Sequence, residues 1–88
     1  MPGVAAMTVG VADDGAIILR GNCPAEDAET VAHMLLLDPT AAVDWRACDH
    51  AHTAVVQVLL TARPAMLGPP RSLFLRNWVA PVLSGAPA

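Results

Sequence analysis

The chain has 88 residues, of which 55% are hydrophobic and 15% charged, and its formal net charge is -3. This length predicts a single domain over residues 1–88 with a modest core, and the apolar content excludes an intrinsically disordered chain. The five basic residues are scattered arginines, so the chain lacks the basic footprint of a nucleic-acid-binding protein.

The sequence shows no segment typical of export or of membrane insertion. No apolar run approaches the roughly 20 residues of a membrane span, so we expect no direct insertion into a membrane. The opening MPGVAAMTVGVADDG has no basic segment of the kind that begins a signal peptide. We therefore expect a cytoplasmic protein in which Cys23 and Cys48 are reduced.

Two strands are predicted at the start of the chain. Residues 7–11 alternate apolar with small or polar side chains, which predicts a strand with Val11 on its buried face. Asp14-Gly15 predicts a hairpin turn. Residues 16–19 then form a second apolar strand, which residues 20–22 are expected to end.

Helices and one further strand are predicted in the rest of the chain. Acidic residues after Pro24 favour the start of a first helix, and Asp38-Pro39 ends it. Residues 41–45 predict a third strand, which a short polar turn joins to a second helix at residues 53–62. A last helix is predicted at residues 72–83.

The order strand, strand, helix, strand, helix, loop, helix predicts an α/β fold. We expect a small mixed β-sheet covered on one face by helices, because so few helices can hardly cover both faces. Residues 64–70 are rich in proline and glycine and show no clear strand. The first few residues and residues 84–88 are expected to be flexible.

The stretch VDWRACDHAHTAVVQVLL, residues 43–60, is the most informative part of the chain. It predicts a buried strand, a polar turn and a helix that opens near Thr53. Helix starts expose free backbone N–H groups and favour negative charge. The hydroxyl of Thr53 is therefore a helix cap, a docking point for a partner, or a phosphorylation site, and the cap alone needs no partner.

This junction resembles that of the STAS domain, the fold of bacterial anti-sigma-factor antagonists and of the sulphate-transporter tail domain. The family pattern is a strand ending near an Asp, then Asp-Ser-Ser/Ala-Gly and an apolar helix. Val43-Asp44 is similar to the strand end, and residues 52–55, His-Thr-Ala-Val, stand where the motif stands. Thr53-Ala54 is similar to the Asp-Thr-Ala of lipid-transport members, whereas His52 and Val55 depart from the pattern.

The resemblance implies a STAS-like, non-enzymatic regulatory domain without a cofactor. It implies that an anti-sigma factor or kinase-type ATPase binds at Thr53, which is also the implied phosphoacceptor. The alternative is a small STAS subunit that docks on the ATPase of a lipid ABC transporter, and a homodimer stays open. The implied partner face comprises Asp49, His50, His52, Ala54 and Val56.

A second class of function is suggested by Cys48, His50 and His52, whose spacing admits a metal site or a small hydrolase. A metal site needs three or four convergent ligands, and catalytic triads are seldom built from adjacent residues. We therefore favour a protein with no metal site and no catalytic residues, in which the histidines tune the charge beside Thr53.

Both tryptophans, Trp45 and Trp78, are expected to pack in the core or at its edge. The alternative is a docking face formed by Phe74, Leu75 and Trp78 on the last helix.

Overall fold

A computed structural model describes residues 8–84 of the chain. Its elements are β1 (Val9–Val11), β2 (Ile17–Cys23), α1 (Asp27–Leu37), β3 (Val43–Ala51), α2 (Thr53–Ala62) and β4 (Met66–Leu67). Residues 73–83 then form one continuous helical segment, the C-terminal helix. It contains a π-helical turn at Leu75–Val79 and an α-helical turn, α3, at Ala80–Leu83.

Four strands form one mixed sheet in the order β1-β2-β3-β4. The β1–β2 pair is an antiparallel hairpin, whereas β2–β3 and β3–β4 are parallel and are joined by α1 and α2. The small mixed α/β fold predicted from the sequence is therefore confirmed. The predictions for Met7 and for flexible ends lie outside the described residues, apart from Ser84, whose backbone N–H bonds to the carbonyl of Ala80.

The core lies between one face of the sheet and the helices. Along β2, Ile17, Leu19 and Cys23 are buried while Arg20 and Asn22 are exposed, as expected when one sheet face meets a core. The helices contribute the buried residues Val31 and Leu35 from α1, Val55, Val56 and Leu59 from α2, and Leu75 and Val79 from the C-terminal helix.

Strand β3 runs to Ala51, so the predicted strand end at residue 45 and the polar turn after it are wrong. The prediction that residues 20–22 end the second strand is also wrong, because β2 continues beside β3 to Cys23. Strands β2 and β3 supply hydrogen-bond partners for each other's backbone N–H and C=O groups. This pairing keeps both segments extended although their side chains are polar.

The register between β2 and β3 shifts twice, which places an extra residue on β3 each time. Gly21 pairs with Cys48 but Asn22 pairs with His50, so Asp49 is the bulged residue of the second shift. Gly21 has φ +67° at this point, a conformation that glycine adopts without a steric penalty. The bulge breaks the alternation of β3, so Cys48 is buried while Asp49 and His50 are both exposed.

Two predictions about apolar side chains are wrong. Val11 is exposed rather than buried, because β1 has three residues and Val11 ends it at the edge of the sheet. Trp78 is 70% exposed, because the C-terminal helix turns Leu75 and Val79 toward the core instead. The core position predicted for Trp45 is confirmed, since its side chain is only 2% exposed.

A short fourth strand, β4, lies in the region where the sequence shows no clear strand. Met66 and Leu67 pair with Val43 and Asp44 at the start of β3. Two residues of strand are too few to give an alternation, and the flanking prolines hide the signal. Within residues 8–84, no helix has the length and apolar character needed to cross a membrane.

Candidate partner-binding site

His52 alone separates the end of β3 from the start of α2. It has the extended backbone of a cap residue, with φ -57° and ψ 149°. Its Nδ1 accepts a hydrogen bond of 3.0 Å from the backbone N–H of Ala54, and its carbonyl accepts the N–H of Val55 at 2.9 Å. His52 is therefore the N-cap of α2, and its imidazole occupies one of the free N–H groups of the helix start.

Thr53 is the first residue of α2, and its side chain is exposed. The interpretation of Thr53 as the helix cap is wrong, because the cap position falls one residue earlier, on His52. The Thr53 hydroxyl makes no hydrogen bond to another group of residues 8–84. The Thr53 hydroxyl therefore lies at the start of α2 without contributing a hydrogen bond to the described part of the fold.

An apolar groove of about 520 Å³ opens beside Thr53, between the end of β3, α2 and the C-terminal helix. We call it the Thr53 groove; it is lined by His50, Ala51, Thr53, Val56, Leu60, Phe74 and Val79. Most of these side chains are apolar, and the ring of Phe74 at its edge is 63% exposed. The groove thus offers a partner an apolar surface with one hydroxyl and one imidazole at its rim.

The structure distributes the predicted partner face over two surfaces. His50, Thr53 and Val56 come together in the Thr53 groove, whereas Ala54 lines a separate groove of about 570 Å³ between α1 and α2. The carboxylate of Asp49 is exposed, and its Oδ1 lies 3.6 Å from Nη1 of Arg71. The side chain of His52 is exposed, and its Nδ1 accepts the capping hydrogen bond from the Ala54 N–H.

Several groove residues were missed by sequence reasoning. Leu60 belongs to the apolar pattern of α2, which indicates packing of some kind but not a groove. Val79 reaches the site only because the C-terminal helix packs beside α2. The sequence signal that points to this surface is Phe74, the one phenylalanine of the chain, which belongs to the alternative docking face predicted from the sequence.

The geometry around Cys48 bears on the hydrolase and metal interpretations. The bulge at Asp49 leaves Cys48 buried and His50 exposed, and the Cys48 thiol donates to the His50 backbone carbonyl at 3.5 Å. The Cys23 thiol donates to the carbonyl of Arg20 at 3.7 Å, and its interaction with the Cys48 thiol together with burial raises the pKa of Cys23. Within residues 8–84, no group of three or more His, Cys, Asp and Glu side chains is arranged to hold a metal ion.

No protein-family model, curated protein or solved structure matches this chain. The resemblance to STAS domains consequently depends on the residues of the junction and on the order of strands and helices.

Proposed function

We propose that the chain is a STAS-like regulatory domain that binds a partner protein through the Thr53 groove. The partner is an anti-sigma factor or a kinase-type ATPase, and the domain acts in the cytoplasm without catalysis of its own. The observation that carries the proposal is the position of Thr53. Its hydroxyl is exposed at a helix start and lies at the rim of an apolar groove. The hydroxyl does not cap α2, because the His52 side chain does so.

Phosphorylation of Thr53 is the control that this geometry supports. A kinase-type partner transfers the terminal phosphoryl group of ATP to the Thr53 hydroxyl, and ADP leaves. The phosphate adds about -1.5 to -2 charges at pH 7. The helix start favours this charge, but the apolar groove beside it does not. A partner that buries apolar side chains against Val56 and Phe74 then loses affinity, so the modified domain releases it.

The resemblance of Thr53-Ala54 to lipid-transport STAS proteins supports a second class of partner, the ATPase subunit of a lipid ABC transporter. This partner uses the same groove, because Thr53 is the shared residue of both resemblances. The two classes differ in control. Release by phosphorylation is expected with the kinase-type partner, whereas the transporter subunit stays bound in a constitutive complex.

Affinity capture with four baits tests the proposal: wild type, Thr53→Ala, Thr53→Asp and Thr61→Asp. Thr61 is the matched control, because it is an exposed threonine of the same helix that lines the groove between α1 and α2 instead. We expect an ATPase to be captured by wild type, Thr53→Ala and Thr61→Asp and lost with Thr53→Asp. Circular dichroism of each bait shows that the fold is kept.

Capture that is equal for Thr53→Asp and wild type would show that Thr53 does not control binding. Loss with Thr61→Asp as well would mean that any negative charge on α2 disturbs the complex. Phe74→Ser supplies an independent check. Because Phe74 lines the groove and is exposed, its replacement should weaken capture of the partner without lowering the stability of the domain.

A further inference from the structure

The C-terminal helix carries an exposed apolar stripe that shares Phe74 with the Thr53 groove and extends beyond it along the helix. Phe74, Trp78 and Val82 recur at a spacing of four residues and are 63%, 70% and 50% exposed. Leu73 beside them is exposed as well. Because residues four apart lie on one side of a helix, these side chains form a continuous surface, which we call the Trp78 stripe.

Charge is divided unequally between this part of the chain and the rest. Residues 63–84 contain Arg63, Arg71 and Arg76 and no acidic residue. All eight acidic residues of the chain lie before residue 50, accompanied by two arginines. A protein with a formal charge of -3 therefore has one cationic segment, and this segment is the one that bears the exposed aromatic rings.

The guanidinium groups of two arginines lie near the two ends of the C-terminal helix. Nη2 of Arg76 donates to the carbonyl of Pro70 at 3.2 Å, before the helix begins, and Nη2 of Arg63 donates to the carbonyl of Val82 at 2.9 Å, near its end. Neither guanidinium has a carboxylate partner within residues 8–84, and Arg71 reaches only the exposed carboxylate of Asp49 at 3.6 Å. Their positive charge is thus available to an anionic surface.

The geometry points to the Trp78 stripe as a surface that lies on an anionic lipid bilayer. Helices that bind at the membrane interface place tryptophan, phenylalanine and leucine toward the acyl boundary and arginine toward the headgroups. Tryptophan is enriched at that depth because its ring is apolar and its N–H is polar. The acidic remainder of the domain is repelled by the same lipids, which fixes the side from which the protein approaches.

Two other occupants agree less well with these observations. A second copy packed stripe to stripe would bring the same arginines together, because a twofold interface pairs a patch with itself. A protein partner usually meets a pocket that receives its central side chains. The Trp78 stripe is instead the outer side of one helix, and the Thr53 groove next to it already provides the concave surface.

Vesicle binding by the full chain tests this inference. The probes are neutral vesicles of phosphatidylcholine and anionic vesicles of phosphatidylcholine mixed with phosphatidylglycerol. We expect sedimentation with the anionic vesicles only, and a weaker association at high salt because exposed charges are screened. The tryptophan emission should shift to shorter wavelength, and this shift reports Trp78 because Trp45 is already buried at 2% exposure.

Three variants give the test its specificity. Trp78→Ser should weaken binding by about tenfold or more, since it removes a large apolar side chain from the lipid contact. Arg76→Gln keeps both tryptophans and should weaken binding about fivefold, the effect of one basic residue near an anionic surface. Leu36→Ser is the matched control, because Leu36 on α1 is 79% exposed but lies in the acidic part of the chain.

Equal binding to neutral and anionic vesicles would overturn the inference, as would an equal loss with Leu36→Ser and Trp78→Ser. The inference is also wrong if no vesicle recruits the protein. If, in that case, Trp78→Ser but not Leu36→Ser lowers capture of the partner at the Thr53 groove, the stripe is part of a protein interface. A failure of partner capture together with intact vesicle binding would instead reject the proposed function alone.

Discussion

Replacement of His52 is the sharpest test of how the junction is built. In His52→Ala the imidazole acceptor of the Ala54 N–H is lost, and the helix start keeps one more unsatisfied donor. Loss of an N-cap side chain costs about 1 kcal/mol in free energy of unfolding, with a range of about 0.5–2 kcal/mol. In a domain of this size, about 1 kcal/mol lowers the midpoint of thermal unfolding by about 4–8 °C.

The companion change, Thr53→Ala, should leave stability nearly unchanged. The Thr53 hydroxyl makes no hydrogen bond within residues 8–84, and alanine has the higher helix propensity. His52→Asp restores an acceptor at the cap and adds a negative charge at the helix start, so it should equal or exceed wild-type stability.

Urea unfolding followed by circular dichroism measures all three variants at one pH. Where a variant has the same m-value as wild type, a change in its urea midpoint reports a change in the free energy of unfolding. The assignment of the cap to His52 is refuted if Thr53→Ala costs more than His52→Ala. A loss with His52→Asp as large as that with His52→Ala would show that the imidazole acts through packing instead.

Three further expectations follow from contacts elsewhere in the fold. Gly68→Ala should be destabilised by about 1–3 kcal/mol in thermal or urea unfolding, because a Cβ there would overlap Nε1 of the buried Trp45 ring. Hydrogen bonds from Arg46 lower the pKa of Asp44, so this pair should stabilise the fold above about pH 4 and lose its effect as the pH falls further. The stability difference between wild type and Asp44→Asn should thus be small at pH 7 and vanish in acid, since the Arg46 side chain that pairs with Asp44 is exposed to solvent. Both cysteines are buried, so iodoacetamide should label neither in the native protein and both in urea, as read by intact mass.

Helix α2 shows what local sequence can determine. Its observed bounds, Thr53–Ala62, agree with the prediction because the apolar spacing lies within the segment and Pro64, which restricts the residue before it, follows two residues after its end. The end of α1 before Asp38-Pro39 is confirmed for the same reason, since proline restricts the residue before it. Such signals act over a few residues and need no information about the rest of the fold.

Strand β3 shows where local sequence fails. The string RACDHA has the composition of a turn, yet it is extended because β2 supplies backbone partners as far as Cys23. The bulges that accompany this pairing decide which side chains are buried, and they depend on the strand opposite. The difference between Cys48 inside and His50 outside could not be derived from a Cys-x-His spacing alone.

The sequence predicts candidate site residues in one stretch of the chain, but not how the fold assembles them with other elements. Thr53, His50 and Val56 were named from the junction, and the structure brings them into one groove. Phe74 belongs to the same groove through the packing of the C-terminal helix beside α2. That packing brings together residues about 20 positions apart in the sequence. The spacing of apolar residues within one helix or strand contains no information about such a contact.

The extended β3 also has a consequence for how the junction can act. The N–H of His52 bonds to the carbonyl of Cys23 at 2.9 Å, and its imidazole bonds to α2, so the single connecting residue is held from both sides. Thr53 is thereby fixed by a strand and a helix instead of a loop. A partner that binds here has little backbone to order, which favours affinity. Phosphorylation of Thr53 would accordingly act through charge at a rigid site, because there is no polar turn for it to order or release.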